Sequence, residues 1–119
     1  MQIQLRSNIP EFRGEKILSF IEQNFERSLE RFRSRIQSVQ LYLEDVNGPK
    51  GGVDKVCRCV LHLKKLSPVV IRDADESWSA LVQRTANRAA HSVGKAIARN
   101  RTQKRDRSKT DSEAGFRGS

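Results

Sequence analysis

Hydrophobic positions along this chain switch between a period of two and a period near 3.6, and the switches mark out its elements. Residues 2–6, QIQLR, alternate and place Ile3 and Leu5 on one face of a short strand that Asn8, Pro10 and Gly14 bring to an end. From about 15 to 33, Ile17, Leu18, Ile21, Phe25, Leu29 and Phe32 recur at three and four, which predicts an amphipathic helix with one apolar stripe. Alternation returns in IQSVQLYLEDV, 36–46, with Val39, Leu41 and Leu43 on one side. It continues in KVCRCVLHLKKL, 55–66, with Cys57, Cys59, Leu61 and Leu63 together. After the turn signal Ser67-Pro68, VVIRDAD reads as a last strand, and Asp73, Asp75 and Ser77 offer caps and first-turn acids to a second helix over about 76–99. Its broad apolar face holds Trp78, Leu81, Val82, Ala86, Ala89, Val93, Ala96 and Ile97.

The order β-α-β-β-β-α implies an α+β two-layer sandwich. The long first crossover makes strands one and two parallel, the short later links make an antiparallel meander, and the result is a four-stranded mixed sheet with both helices on one face. Three strands followed by a helix also resemble the double-stranded RNA-binding domain. Between the second and third strands lies DVNGPKGGVDKVCRC, Asp45 to Cys59. Asn47-Gly48 and Gly51-Gly52 supply positive φ and Pro49 fixes its own, so the stretch reads as the reversal of a hairpin.

With 119 residues the chain has room for one domain, expected over 1–100, followed at 101–119 by a basic tail too poor in apolar residues to fold alone. Lys and Arg number 23 against 14 Asp and Glu, a net charge of +9, so an anionic partner is the first expectation. Nucleic acid comes ahead of a membrane surface, because no stretch approaches the roughly 20 apolar residues of a spanning helix. The N-terminus carries no apolar secretory core, and a cytoplasmic location is expected. Cys57 and Cys59, two apart on one face of a strand, are badly placed to bond each other and read as small buried hydrophobes.

Charge placement sharpens the expectation. On the first helix Glu22, Glu26 and Glu30 fall along one flank of the stripe, and Lys16, Arg27 and Arg31 along the other. On the second, Arg84, Arg88, His91, Lys95 and Arg99 follow at steps of four, three, four and four, a ladder about 22 Å long that matches a phosphate backbone. Between Ser77 and Arg105 the sequence has no Asp or Glu. His91 enters the ladder as a candidate only, and Trp78 reads as a core or edge aromatic rather than a base-stacking one. Lys50 and Lys55 add charge at the end of the hairpin. The aspartates sit where capping explains them, and the two histidines, His62 and His91, have no nucleophile or metal-ligand companions. No catalysis, metal or cofactor is expected.

The stretch D-x-N-G-P-K-G-G-x-D-K, Asp45 to Lys55, preceded by a strand and followed by VLHL, a proline turn and an acid-rich helix start, resembles the ribosome hibernation factors. That family comprises the short hibernation promoting factor and ribosome-associated inhibitor A, also called ribosomal subunit interface proteins; the likeness extends over about 1–100 in the order of elements. The resemblance implies a protein of resting or stressed cells, such as those in stationary phase, that docks on the small ribosomal subunit and its ribosomal RNA. It would inhibit translation by filling the channel of messenger and transfer RNA. It implies RNA contacts at Arg27, Arg31, Lys50, Lys55, Arg84, Arg88, Lys95 and Arg99. The helix start ESWSALV departs from the tyrosine and Ala-Ile of many relatives. The competing reading of the same charges is a general module for structured RNA outside the ribosome. Neither reading calls for DNA, a membrane or a dimer.

Overall fold

The computed structural model describes residues 1–7, 15–46 and 55–113, with 15, 16 and 102–113 as backbone only. Strand β1 (Gln2–Ser7) leads to helix α1 (Glu15–Leu29). The helix tightens into a 3₁₀ segment, Glu30–Arg35, which feeds β2 (Ile36–Asp45). Strands β3 (Lys55–Leu63) and β4 (Val69–Asp75) follow, and helix α2 (Trp78–Glu113) closes the order. The hairpin loop with Lys50 and the glycine pairs lies outside the described residues.

The four strands are ordered as in the chain. β1 runs parallel to β2, with Ile3 opposite Val39 and Leu5 opposite Leu41. β2–β3 and β3–β4 are antiparallel, pairing Leu41 with Cys59 and Cys59 with Ile71. This is the mixed sheet the sequence implies.

The period-two residues of one parity face the helices. Val39, Leu41, Cys57, Cys59 and Leu61 are fully buried against Phe25 and Leu29 of α1 and against Leu81, Ala86, Ala89 and Val93 of α2. Burial of these apolar side chains is the main driving force for the two-layer arrangement, each large one contributing about 1.5–3 kcal/mol. Trp78 is half-buried and packs on the edge of this core, as expected of a core or edge aromatic. Small residues let the layers approach. A Cβ added to Gly94 would stand 3.1 Å from Cζ of Phe32, so this glycine on α2 is where the ring of the 3₁₀ segment seats.

Ser77 caps α2: the Ala80 amide donates to Ser77 Oγ at 3.3 Å, and the Ser77 amide donates to Asp75 Oδ1 at 3.0 Å. At its other end α2 departs from the sequence expectation. Its apolar period fades near Asn100, but the backbone stays helical to Glu113. No glycine or proline interrupts residues 95–114, and Arg, Lys, Gln and Glu are good helix formers, so nothing in the chain stops the helix there.

Candidate nucleic-acid interface

α1 and α2 lie side by side on the sheet, joined at their outer edges by Ser28 Oγ donating to Asn87 Oδ1 at 3.4 Å. Above this contact opens a cleft of about 480 Å³ lined by Arg27, Arg31, Glu30, Asn87 and His91. Three of the contact candidates picked from the sequence, Arg27 on α1, Arg31 on the 3₁₀ segment and His91 on α2, thus line one groove. Arg31 is held by stacking, its guanidinium carbon 5.0 Å from the centroid of the Phe32 ring. His91, Lys95 and Arg99 continue along the exposed side of α2 away from the sheet.

Glu30 also lines this cleft, beside Arg27 and Arg31, where α1 tightens into the 3₁₀ segment. Continuing the turn of α1 at about 100° per residue, it stands about 80° from Glu22 and about 60° from Arg27, so the acidic flank meets the basic one here.

The stripe on α2 is not uniform either. No acid interrupts it in sequence, yet β4 supplies two in space. Arg84 donates through Nε to Asp73 Oδ2 at 2.7 Å and through Nη1 to Asp75 Oδ2 at 2.9 Å, with Nη2 reaching the Ala74 carbonyl oxygen at 2.9 Å. Arg88 Nη1 lies 3.0 Å from Asp73 Oδ2 and donates to the Arg72 carbonyl oxygen at 3.1 Å. The cause is the parity of β4: Ile71, Asp73 and Asp75 all lie on the helix side of the sheet, under the first turns of α2. Hydrogen bonds from Arg84 hold the Asp73 carboxyl down at about 2. The Ser77 amide, then Arg84, lower Asp75. The Arg84 guanidinium is correspondingly raised, first by Asp73 and then by Asp75. The side chains of Arg84 and Arg88 remain 43% and 49% exposed, so they can still face a ligand, but with their charge already matched by two carboxylates.

Lys55 stands in register between Asp45 of β2 and Asp75 of β4, with its ammonium nitrogen 5.8 Å from the centroid of the Trp78 ring. It belongs to the end of the sheet, apart from the interhelical cleft. Lys50 lies outside the described residues.

No protein-family model and no curated protein sequence matches the chain. Solved structures do. A ribosomal subunit interface protein from Coxiella burnetii superposes with a TM-score of 0.68 at 14% identity, covering 82% of this chain and 99% of that one. The N-terminal domain of Thermus thermophilus Protein Y superposes with a TM-score of 0.63 at 19% identity, covering 78% of this chain and 96% of that one. This chain has their fold. The agreement lies in backbone and layer order, so which side chains contact a partner has to be argued from the charges themselves.

Chemistry beyond charge is sparse. Burial pushes the Cys57 thiol up to about 11 and Cys59 higher still, so both are inert thiols inside the core. Among the described residues no three His, Cys, Asp or Glu side chains gather in a metal-binding arrangement, and no helix is long and apolar enough to cross a membrane. Three further arginines, Arg6, Arg58 and Arg72, are exposed on the sheet face opposite the helices. Reading the helices for charge passed over them, although the alternation in KVCRCVLHL and VVIRDAD already places Arg58 and Arg72 on the side away from the core.

Proposed function

We propose that this chain is a ribosome-associated hibernation factor that docks its helix layer on the small ribosomal subunit and blocks the channel of messenger and transfer RNA. The observation that carries the reading is the convergence of Arg27, Arg31 and His91 on one interhelical cleft, continued by the exposed Lys95 and Arg99. It stands on a fold shared with a protein described as a ribosomal subunit interface protein. The mechanism is steric and electrostatic. A preformed cationic surface displaces counterions from folded RNA, and the 26 × 18 Å cross-section of the domain occupies space that a nucleic-acid strand would need.

In this reading the contributions differ along α2. Lys95, Arg99 and Arg31 lead, because no carboxylate in the described structure is paired with them. Arg84 and Arg88 act mainly by fixing α2 to β4, and they meet RNA with their exposed edges. No covalent step is required.

The test is a sucrose gradient of ribosomes with purified protein at about 100 mM and then several hundred mM monovalent salt. Comigration with small subunits at low salt, lost at high salt and lost in the Arg31→Glu/Lys95→Glu/Arg99→Glu variant, is the expected result. Protein that stays at the top at both salts removes the ribosome from the account. Equal affinity for naked duplex RNA and for assembled subunits would favour a general structured-RNA module instead.

A further inference from the structure

The sheet has a second face, and its composition is not what a solvated β-surface requires. Across all four strands Arg6 pairs in register with Tyr42, Tyr42 with Arg58, and Arg58 with Arg72. The row spans three strand spacings, about 14 Å at 4.8 Å each. Arg6, Arg58 and Arg72 are exposed, and among the described residues none of them forms an ion pair. Two arginines placed directly opposite each other weaken an antiparallel pair, so the fold gains nothing from Arg58 facing Arg72.

The Arg58 guanidinium carbon lies 4.9 Å from the centroid of the Tyr42 ring. This is a cation–π pair of two planar groups on the sheet face turned away from the helices. Beside it is a shallow depression of about 520 Å³ lined by Arg6, Tyr42, Glu44, Val56, Arg58 and Arg72, in which Glu44 is the one carboxylate among the lining residues described. The adjoining row adds Val60 and Val70, the latter 60% exposed. It also adds Gln40, whose Oε1 lies 3.4 Å from both Tyr42 Oη and His62 Nε2. The face therefore combines flat stacking groups, unpaired cations and a small apolar floor.

We propose that this open sheet face binds single-stranded RNA, with an unstacked base lying on the Arg58–Tyr42 pair and its flanking phosphates held by Arg6 and Arg72. Single strands suit it better than duplex. Exposed bases can lie flat on a guanidinium or a ring, whereas a duplex hides its bases and presents phosphates to a surface this short. The face points away from α1 and α2, so it stands apart from the ribosome reading and can be occupied while the helix layer is engaged.

The experiment is fluorescence anisotropy of a labelled ten-nucleotide oligouridine titrated with the full chain at low salt. Arg58→Gln/Arg72→Gln and Tyr42→Leu are compared with Arg31→Gln/Lys95→Gln/Arg99→Gln. Removing two mutually repelling charges does not threaten folding, so a loss of binding in the first variant reports the face itself. The expected result is at least tenfold weaker binding for each sheet variant, less than threefold for the helix variant, and poor displacement by a ten-base-pair RNA duplex. The proposal is overturned by any of three results: no oligouridine binding, a loss confined to the helix variant, or displacement by polyglutamate or duplex RNA as effective as by unlabelled oligouridine.

Discussion

Arg84 Nε lies 2.7 Å from Asp73 Oδ2, and this contact joins the N-terminal half of α2 to the edge strand of the sheet. The same arginine spans to Asp75 and to a main-chain carbonyl, so it works as a cross-element clamp before it works as a ligand contact.

The clamp should set the acid limb of stability. Asp73 is depressed, to about 2, by Arg84 first and also by the Ala74 amide and Arg88. A depressed carboxylate contributes stability that is fully present above its unfolded value, about 3.9, and is lost as pH falls through the folded value. Chemical denaturation of wild type and Arg84→Met from pH 7 to 2 should show a lower midpoint for the variant at pH 5–7. The two curves should close on each other between about pH 4 and 2. A gap that persists unchanged at pH 2 would mean that Arg84 acts through its aliphatic packing.

Partner binding should separate from that clamp. For RNA binding, each lost phosphate contact lowers the slope of log affinity against log salt by about 0.7 to 0.9. Lys95→Gln and Arg99→Gln should each reduce the slope for small subunits by about that amount while leaving the denaturation midpoint in place. Arg84→Met should do the reverse, lowering the midpoint with a smaller change in slope. Equal slope changes at Arg84 and Lys95 would show that the carboxylates of β4 release their arginine on docking.

These distinctions mark what the chain discloses by itself. The alternation of Val39, Leu41 and Leu43, and of Cys57, Cys59, Leu61 and Leu63, fixes strand faces because a period-two pattern has only one way to bury itself. The stripe from Ile17 to Phe32 does the same for α1. The pairing of Arg84 with Asp73 was harder to see, because Asp73 and Asp75 also fit the capping of α2, and Asp75 does accept the Ser77 amide. The parity of Ile71 was the available clue that both acids face the helix. Glu30 meets Arg27 in the cleft because a spacing of three on a helix leaves only about 60° between side chains, so the two charged flanks of α1 converge at its end. The row of Arg6, Tyr42, Arg58 and Arg72 depends on register between strands, which no single strand encodes.

Thr85 is the buried polar group of the α2 face. Its hydroxyl has no hydrogen-bond partner within ordinary geometry, and the nearby Cys57 thiol is a weak hydrogen-bonding group at best. Valine keeps the β-branched shape and removes the orphaned oxygen. Thr85→Val should therefore raise unfolding free energy by about 1 kcal/mol in urea titration. A destabilised variant would show that the hydroxyl finds a partner in solution.

Gly94 and Phe32 offer a test of how the two helical layers close. With 3.1 Å between Cζ of Phe32 and the place a Cβ would occupy, any side chain at 94 pushes on the ring. Alanine would gain about 1 kcal/mol of helix propensity, which offsets a small displacement and leaves a net effect near zero. Valine gains less propensity and adds two methyl groups against a ring that packs on the core, an overpacking cost of about 1–3 kcal/mol. Gly94→Val should therefore be destabilised by roughly 2 kcal/mol in urea titration, since the overpacking outweighs the propensity. Phe32→Ala on its own loses the half-buried ring, whereas in the Gly94→Val background it also vacates the space that the valine needs. The double variant should accordingly lose less stability than the sum of the two single losses, a coupling of at least about 0.5 kcal/mol. Additive losses would place the ring elsewhere in solution and would open the interhelical cleft beside Arg31, whose guanidinium rests on that ring.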